Sequence, residues 1–378
     1  TLKYNAHQKD YLPAQGLREL RDAVAEFHRR RDGIEATGKN VMVGPGSKEL
    51  MFLLQLVYYG ELLVPSPCWV SYVPQARIIG RTVSILHTTF EDRWRITAES
   101  LARHCESEHD TYRPRVLILN YPGNPEGNSY SAQELQQLAE VASQYQIILL
   151  SDEIYGQLNY KGEHVSIGRF CPERTIISSG LSKWCGAGGW RLGTFTFPTE
   201  LEWLMEAMAA VGSETFTSVS APIQYASVTA FRGGPEIEDY LWHTRRILEK
   251  LGVQCAELLN DAGVRVHPPV GGFYLFLDFE SHREMLVDRG IVDSSSLCER
   301  LLEDTGVAIL PGAAFSRPRE ELTARMAFVD FDGSAALAAS QRLSIEEALP
   351  DDFPERWCYN VLEATRKIIG WLNEENGS

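Results

Sequence analysis

Short apolar runs alternate with segments of helical spacing over residues 17–197 of the chain. The runs carry hydrophobic side chains at successive positions, which is typical of strands that are buried on both faces. They are ELLVP (61–65), RVLILN (115–120), QIILLSDE (146–153), RTIISSG (174–180) and LGTFTF (192–197). Apolar residues with helical spacing occur in 17–31, 48–59 and 131–145. This alternation predicts an α/β domain with a mostly parallel sheet.

The C-terminal part has a different pattern. Residues 235–263 keep helical spacing over an unusual length, and two predicted strands follow, GGFYLFLDF (271–279) and GVAILPG (306–312). The acidic stretch SIEEALPDDFPERW (344–357) is predicted as a surface loop before a last amphipathic helix. We therefore expect a large domain over 17–248 and a smaller α+β domain over 249–378. Residues 1–16 are expected to pack on the small domain or on a partner subunit.

Composition narrows the class of protein. The chain has 378 residues, of which 44% are hydrophobic and 23% are charged, as in ordinary soluble globular proteins of two domains. Its formal charge of -15 disfavours nucleic acids and anionic membranes as partners. No run approaches the length of a membrane helix, and the first residues lack the apolar core of a signal peptide. Thr1 stands in place of an initiator methionine, which suggests that residues before it are missing.

The seven cysteines are scattered singly, without any CxxC pair. This spacing predicts neither a disulfide framework nor a metal site, and it favours the reducing cytoplasm. Two glycine-rich stretches, 44–49 and 186–193, lack the spacing of a P-loop and of a dinucleotide-binding motif respectively.

Polar residues instead follow the ends of predicted strands. Asn124 comes after RVLILN, Asp152 and Tyr155 after QIILL, and Lys183 after TIISSG. Because strand ends of an open α/β sheet line one crevice, we expect these side chains to converge there.

This set of residues fits an aldehyde cofactor with a ring nitrogen and a phosphate. The amine of Lys183 can form a Schiff base with the aldehyde, and Asp152 can keep a pyridine nitrogen protonated. Tyr155 and Asn124 can bind a ring oxygen. A phosphate fits Arg191 together with the turn Gly46-Ser47-Lys48, where a predicted helix begins.

The chain resembles the class I/II pyridoxal-5'-phosphate (PLP) aminotransferases of fold type I, which include aspartate and aromatic aminotransferases. The resemblance runs from YLPAQGLRELR (11–21) to RMAFVDF (325–331). The motifs, in family order, are GSK (46–48), SPCWVSY (66–72), NYPGNPEG (120–127), SDEIY (151–155), SKWCGAGGWRLG (182–193), GGFYLF (271–276) and PGAAF (311–315). The fold that this implies is a mostly parallel sheet in a large domain, with a smaller α+β domain.

The resemblance implies three catalytic residues. Lys183 would carry the PLP Schiff base and move the proton between the substrate Cα and the cofactor C4'. Asp152 would pair with the pyridine nitrogen, and Tyr155 would bind the ring oxygen beside Asn124.

The resemblance also implies cofactor- and substrate-binding residues. Ser182, Arg191 and the amides of Ser47 and Lys48, after Gly46, would hold the phosphate. Trp69 would stack on the ring, and Arg325 would pair with the substrate α-carboxylate near Asn124. Tyr11 would reach the phosphate of the other subunit, which implies a homodimer with shared active sites.

Three departures from the family pattern stand out. NPEG (124–127) replaces the usual NPTG, and Gly180 replaces a phosphate-binding serine of many members. The residues that form an N-terminal arm over the substrate in relatives are largely missing.

The predicted function is transfer of an amino group from an L-amino acid to a 2-oxo acid. A PLP-dependent carbon-sulfur β-lyase or other elimination enzyme is the alternative, because it would use the same lysine and aspartate. A non-enzymatic sensor joined to a DNA-binding domain is disfavoured, since no basic region precedes Thr1 in this chain.

Residues 213–224 contain no arginine for a distal carboxylate. In the most similar bacterial aspartate and prephenate aminotransferases, a lysine at the position of Lys48 has that role. This implies dicarboxylic substrates, such as aspartate or glutamate. The alternative is that Lys48 points to solvent and contributes only its backbone N–H.

Overall fold

The computed structural model describes residues 8–107, 110 and 113–373. Its strands are β1 (Val41–Gly44), β2 (Glu61–Ser66), β3 (Val83–His87), β4 (Arg115–Asn120), β5 (Ile148–Asp152), β6 (Thr175–Gly180), β7 (Gly193–Thr196), β8 (Tyr274–Asp278), β9 (Leu310–Pro311) and β10 (Thr323–Ala327). Its helices are α1 (Arg18–Asp32), α2 (Ser47–Val57), α3 (Tyr72–Ile78), α4 (Ala98–Ser107), α5 (Ala132–Gln144), α6 (Glu202–Thr215), α7 (Ala221–Arg232), α8 (Pro235–Asp261), α9 (Arg283–Asp288), α10 (Ser294–Thr305), α11 (Gly333–Ser340), α12 (Phe353–Trp357) and α13 (Tyr359–Asn373).

The described strands form two sheets. The large sheet has the order β1-β7-β6-β5-β4-β2-β3, and the small one has the order β8-β10-β9. In the large sheet, β3, β2, β4, β5 and β6 run parallel, whereas β7 is antiparallel to both β6 and β1. The small sheet is antiparallel throughout. The prediction of a mostly parallel α/β sheet with a smaller sheet beyond it is therefore confirmed.

Helices on both faces explain why the strands are continuously apolar. Along β4, Val116 and Ile118 pack in one buried cluster with side chains of α2 and α6. Leu117 and Leu119 belong to a second cluster, which contains side chains of α4 and α5. Successive residues of a strand point to opposite faces, so a strand covered on both faces needs hydrophobic residues at every position.

The helices predicted over 17–31, 48–59 and 131–145 are confirmed as α1, α2 and α5. At α5 the start is set by a capping box, in which Ser131 and Glu134 each bond the other's backbone N–H. The strands β1, β3 and β10 were not predicted. None of the described helices combines the length and the apolar character needed to cross a membrane.

Two C-terminal predictions are wrong in part. The strand predicted over 306–312 is reduced to Leu310–Pro311. The first residue of the predicted strand, Gly306, instead caps the C-terminus of α10 in a left-handed conformation. The surface loop predicted over 344–357 ends in the helix α12, whose Phe353 and Pro354 are buried. Proline in the first turn of a helix costs no hydrogen bond, so its presence does not exclude a helix.

The long helix predicted over 235–263 is confirmed as α8, which spans Pro235–Asp261. It runs through the predicted domain boundary at 248 without interruption. One buried cluster contains side chains of α1, α8, β8 and α13, among them Leu20, Leu251 and Leu275. The predicted division into 17–248 and 249–378 stays a prediction, and residues 1–7 of the N-terminal segment lie outside the described residues.

Replacement of Gly193 tests how closely α2 must approach the sheet. A Cβ added at Gly193 would overlap the backbone N of Ser47 and the backbone C of Gly46. Gly193→Ala is therefore expected to lower the free energy of unfolding by about 1–3 kcal/mol, the usual cost of overpacking. Urea unfolding measures the change.

Gly370→Ala is the matched control, because this glycine lies within α13 and a Cβ there would meet nothing within 4 Å. It should raise the free energy of unfolding by about 0.5–1 kcal/mol. Equal stability of the Gly193 variant and the wild type would contradict the close approach.

Candidate active site

The carboxyl ends of three neighbouring parallel strands lie side by side. Asn120 at the end of β4 is in register with Asp152 at the end of β5, which is in register with Ser178 on β6. The chain leaves each strand at this edge, so the loops after β4, β5 and β6 begin close together.

These loops, the start of α2 and the segment after β2 line a cavity of about 570 Å³. Nine residues predicted for the site line it: Ser47, Lys48, Trp69, Asn124, Asp152, Tyr155, Ser182, Lys183 and Arg191. Asn120, Ile154 and Gly188 complete the lining. The convergence predicted from the sequence is therefore observed for residues that lie up to 144 positions apart, from Ser47 to Arg191.

Asp152 is the buried acid of this cavity. Its Oδ2 accepts a hydrogen bond from the Tyr72 hydroxyl at 2.6 Å, and its Oδ1 accepts one from Ser178 Oγ at 3.0 Å. Burial raises the pKa of Asp152 to about 6, although these hydrogen bonds and the positive charge of Lys183 favour the ionised form. A carboxylate in this environment can bind a protonated ring nitrogen.

The Lys183 amine lies over two aromatic rings, 5.5 Å from the ring centre of Tyr155 and 5.8 Å from that of Phe273. Partial burial lowers the pKa of this amine below its usual value, and Asp152 opposes the shift. The nearby cations lower the pKa further; they are Arg325, Arg191 and Lys48. A lower pKa makes the neutral, nucleophilic amine more available.

A series of contacts connects two residues of the cavity lining, Tyr155 and Asn124. Tyr155 donates a hydrogen bond to the hydroxyl of Tyr274 at 3.2 Å. Asn124 Oδ1 accepts one from Arg325 Nη1 at 3.1 Å, and the guanidinium of Arg325 lies 4.6 Å from the ring centre of Tyr274. Arg325 Nε is buried and has no hydrogen-bond partner among the described residues. This guanidinium can therefore accept a carboxylate as a ligand.

The beginning of α2 and Arg191 form a positive corner. The helix begins at Ser47, directly after Gly46, which has a φ of 91°. Arg191 donates to the carbonyl of Gly188 at 2.9 Å and to that of Pro45 at 3.2 Å. Other residues rarely adopt this φ, and a Cβ at Gly46 would displace the guanidinium, so the position favours glycine. A helix N-terminus beside an arginine is a ready anion site, which suits a phosphate.

Lys48 and Trp69 lie together in the lining. The Lys48 amine is 5.0 Å from the ring centre of Trp69, and the Trp69 ring packs edge-on against Tyr72 at 5.3 Å. The Lys48 side chain thus lies along the cavity wall while its charge remains exposed to solvent.

Three of the residues predicted for the site do not line this cavity. Gly46 packs behind Arg191, and Arg325 reaches the site through Asn124. The Tyr11 side chain is 91% exposed and lies outside this cavity.

Four polar residues of the site were not predicted. Asn120 and Tyr72 lie within motifs that were recognised, as does Tyr274. Ser178 could have been found from the two-residue period of a strand, which places it on the same face as Gly180. Asn120 donates to the Asp152 carbonyl at 2.8 Å and accepts from the Asn124 backbone N–H at 2.8 Å, so it joins two loops of the site.

The model of the family of class I and II aminotransferases matches residues 5–328. The aspartate/prephenate aminotransferase of Thermus thermophilus is 33% identical over 309 residues, which cover 81% of this chain and 76% of that protein. The aspartate aminotransferase of Bacillus subtilis is 31% identical, over 83% of this chain and 78% of that protein.

Solved structures are also similar. The aspartate aminotransferase from Thermus thermophilus with maleate matches with a TM-score of 0.79 and 29% identity, over 97% of this chain and 84% of that one. The aromatic aminotransferase from Pyrococcus horikoshii has a TM-score of 0.79 and 28% identity, over 97% and 89%. Because the family model matches most of the chain, this protein belongs to the class I and II aminotransferases, enzymes of fold type I.

Tyr72→Phe tests how Asp152 is held. The change removes the donor to Oδ2, so the pKa of Asp152 is expected to rise above about 6. At pH 8, where the carboxylate is ionised, the free energy of unfolding should fall by about 1–3 kcal/mol. At pH 5, where the carboxyl group is neutral, the loss should be smaller.

Urea unfolding at both pH values measures this difference. Tyr59→Phe is the control, because Tyr59 is 85% exposed. Equal losses at pH 5 and pH 8 would contradict a hydrogen bond that favours the ionised form.

Proposed function

We propose that this aminotransferase uses PLP to move an amino group from an L-amino acid to a 2-oxo acid. The observation that carries the proposal is the position of the Lys183 amine. It lines the same cavity as the buried carboxylate of Asp152 and the positive corner of Arg191 and the α2 N-terminus. An amine, an acid and an anion site are the three groups that PLP requires.

The residues fit this cofactor at each of its functional groups. The phosphate would be held by Arg191, by Ser182 and by the backbone N–H groups at the start of α2, where Gly46 and Gly193 leave no room for a Cβ. Asp152 would bind the ring nitrogen, Asn124 and Tyr155 would bind the ring oxygen, and Trp69 would cover the ring. Bound PLP supplies an aldehyde for the amines and a ring that withdraws electrons.

Lys183 would act as the base. The lowered pKa leaves more of the amine neutral. A neutral amine can remove the proton from the substrate Cα and would then donate it to the cofactor C4'. Arg325 would hold the substrate α-carboxylate, since its Nε lacks a partner among the described residues and its Nη1 is fixed by Asn124. These contacts would orient the Cα–H bond toward Lys183.

We infer a dicarboxylic substrate, such as aspartate or glutamate, from the position of Lys48. Its amine lies over Trp69 at the cavity wall, where a distal carboxylate of the substrate could pair with it. The similar aspartate aminotransferase from Thermus thermophilus has a solved structure with maleate, itself a dicarboxylate.

A homodimer in the cytoplasm completes the proposal. The 91% exposure of Tyr11 leaves its ring available to a partner subunit, and Trp190, beside Arg191, is also exposed. All seven cysteines are free, as is usual in a reducing compartment.

The function is tested by products. Purified protein with PLP, an L-amino acid and a 2-oxo acid should yield the exchanged pair, as resolved by chromatography. Lys183→Ala should lose about 10²- to 10⁴-fold of this rate, because no proton carrier remains. Lys161→Ala is the control, since Lys161 lies at the surface in an ion pair with Glu249. Release of pyruvate and ammonia in a reaction to which no 2-oxo acid acceptor was added would instead show elimination.

Lys48→Ala tests the substrate class. Loss of a charge-assisted pair should raise KM for aspartate and glutamate roughly 10- to 100-fold. KM for aromatic and other neutral amino acids should change little, because they have no distal carboxylate. Lys39→Ala serves as the control outside the cavity. Steady-state kinetics that show equal effects on acidic and aromatic donors would contradict this assignment.

A further inference from the structure

Glu126 is a buried acid beside the active site. It occupies the third position of NPEG, where the family commonly has threonine, and it is 7% exposed. Its carboxyl group lies against Gly123, so close that a Cβ added at Gly123 would overlap it. The turn is closed by bonds from Gly123 N–H to the Asn128 carbonyl and from Gly127 N–H to the Gly123 carbonyl, both at 2.9 Å. Glu126 therefore packs inside the turn that carries Asn124.

Glu126 lines a small chamber of about 30 Å³. Asn120 and Asn124 line both this chamber and the active-site cavity, so the two share a wall. Trp94 lines the chamber too. Its Nε1 is buried and has no hydrogen-bond partner among the described residues. The volume and the polar atoms suit one or two buried water molecules, which need two or more partners each.

Among the described residues, Glu126 forms no ion pair. Arg95 is the cation that acts on it, but Arg95 is engaged by Glu134, with hydrogen bonds of 2.7 and 3.0 Å. Burial raises the pKa of Glu126 to about 8, although a hydrogen bond from its own backbone N–H and the charge of Arg95 favour the ionised form.

The other titratable groups that line the chamber stay neutral near pH 8. Burial raises the pKa of the Cys68 thiol to about 11. It also raises the pKa values of the Tyr72 and Tyr130 hydroxyls above their usual values. Asp152, beyond Tyr72, has a pKa of about 6 and is ionised at that pH.

We propose that Glu126 is a positioning residue, whose neutral carboxyl group, bridged by buried water to Trp94, holds the turn that carries Asn124. An ionised Glu126 would draw water and charge into the chamber and displace this turn. Asn124 fixes Arg325 and lines the cofactor cavity, so both contacts would loosen. The link to the cofactor rests on the proposed function, whereas the protonation state of Glu126 does not depend on it.

The first test uses the cofactor-free protein and Glu126→Gln, a neutral isostere of the protonated acid. The folded state keeps the Glu126 proton up to about pH 8, whereas an unfolded glutamate releases it near pH 4.5. The unfolded state binds fewer protons in this window, so the stability of the wild type falls as pH rises. The thermal midpoint of the wild type, relative to that of the Gln variant, should therefore fall between pH 5 and pH 8. Above pH 8 the difference between the two proteins should become constant.

Glu200→Gln is the control, because Glu200 is exposed, and its midpoints should parallel those of the wild type. Glu126→Thr, which restores the usual family residue, should lack the decline, as the Gln variant does. Parallel curves for the wild type and both Glu126 variants would overturn the proposal.

The second test measures PLP binding by equilibrium dialysis at pH 7 and pH 9. If binding requires the neutral acid, Kd of the wild type should rise by up to about tenfold relative to that of Glu126→Gln over this range. Equal pH dependence of the two proteins would overturn the link between Glu126 and the cofactor site. A wild type that bound no PLP at any pH would overturn the proposed function, while the thermal midpoints would still decide the state of Glu126.

Discussion

The buried carboxylate of Asp152 sets a requirement that the surrounding structure meets. A charge taken out of water must be satisfied by hydrogen bonds or by an opposite charge. Its two oxygens are bound by Tyr72 from α3 and Ser178 from β6, and the amine of Lys183 lies in the same cavity. Each partner belongs to a different element, so the register of β5 and β6 and the placement of α3 depend on one another.

Close backbone approach is the second condition of the site. The start of α2 can lie against β7 and Arg191 because Gly46 and Gly193 have no side chain. Glycine costs conformational entropy in a folded chain, and here it allows helix N–H groups and a guanidinium to face one point. These two glycines thus shape the site and take no part in its chemistry.

The departures of this chain from its family occur in the supporting residues. A Cβ at Gly180 would overlap the carbonyl of Leu192, so the serine of many relatives would not fit this backbone unchanged. Glu126 puts an acid under the Asn124 turn, where its pKa depends on burial. Both positions lie next to the groups that would contact the cofactor, and they can alter the site without replacing any of those groups.

The amino-acid sequence was sufficient to predict the central strands, the long helix α8 and most of the cavity lining. Hydrophobic periodicity and strand-end positions are local properties, and the lysine, acid and arginine of this site belong to motifs of fixed spacing. It did not reveal β1, β3 or β10, the short extent of β9, or the roles of Tyr72, Ser178 and Asn120 around Asp152. These features emerge when the chain folds, because edge pairing and hydrogen bonds between distant loops depend on which segments meet in space. The burial that raises the pKa values of Asp152 and Glu126 arises in the same way.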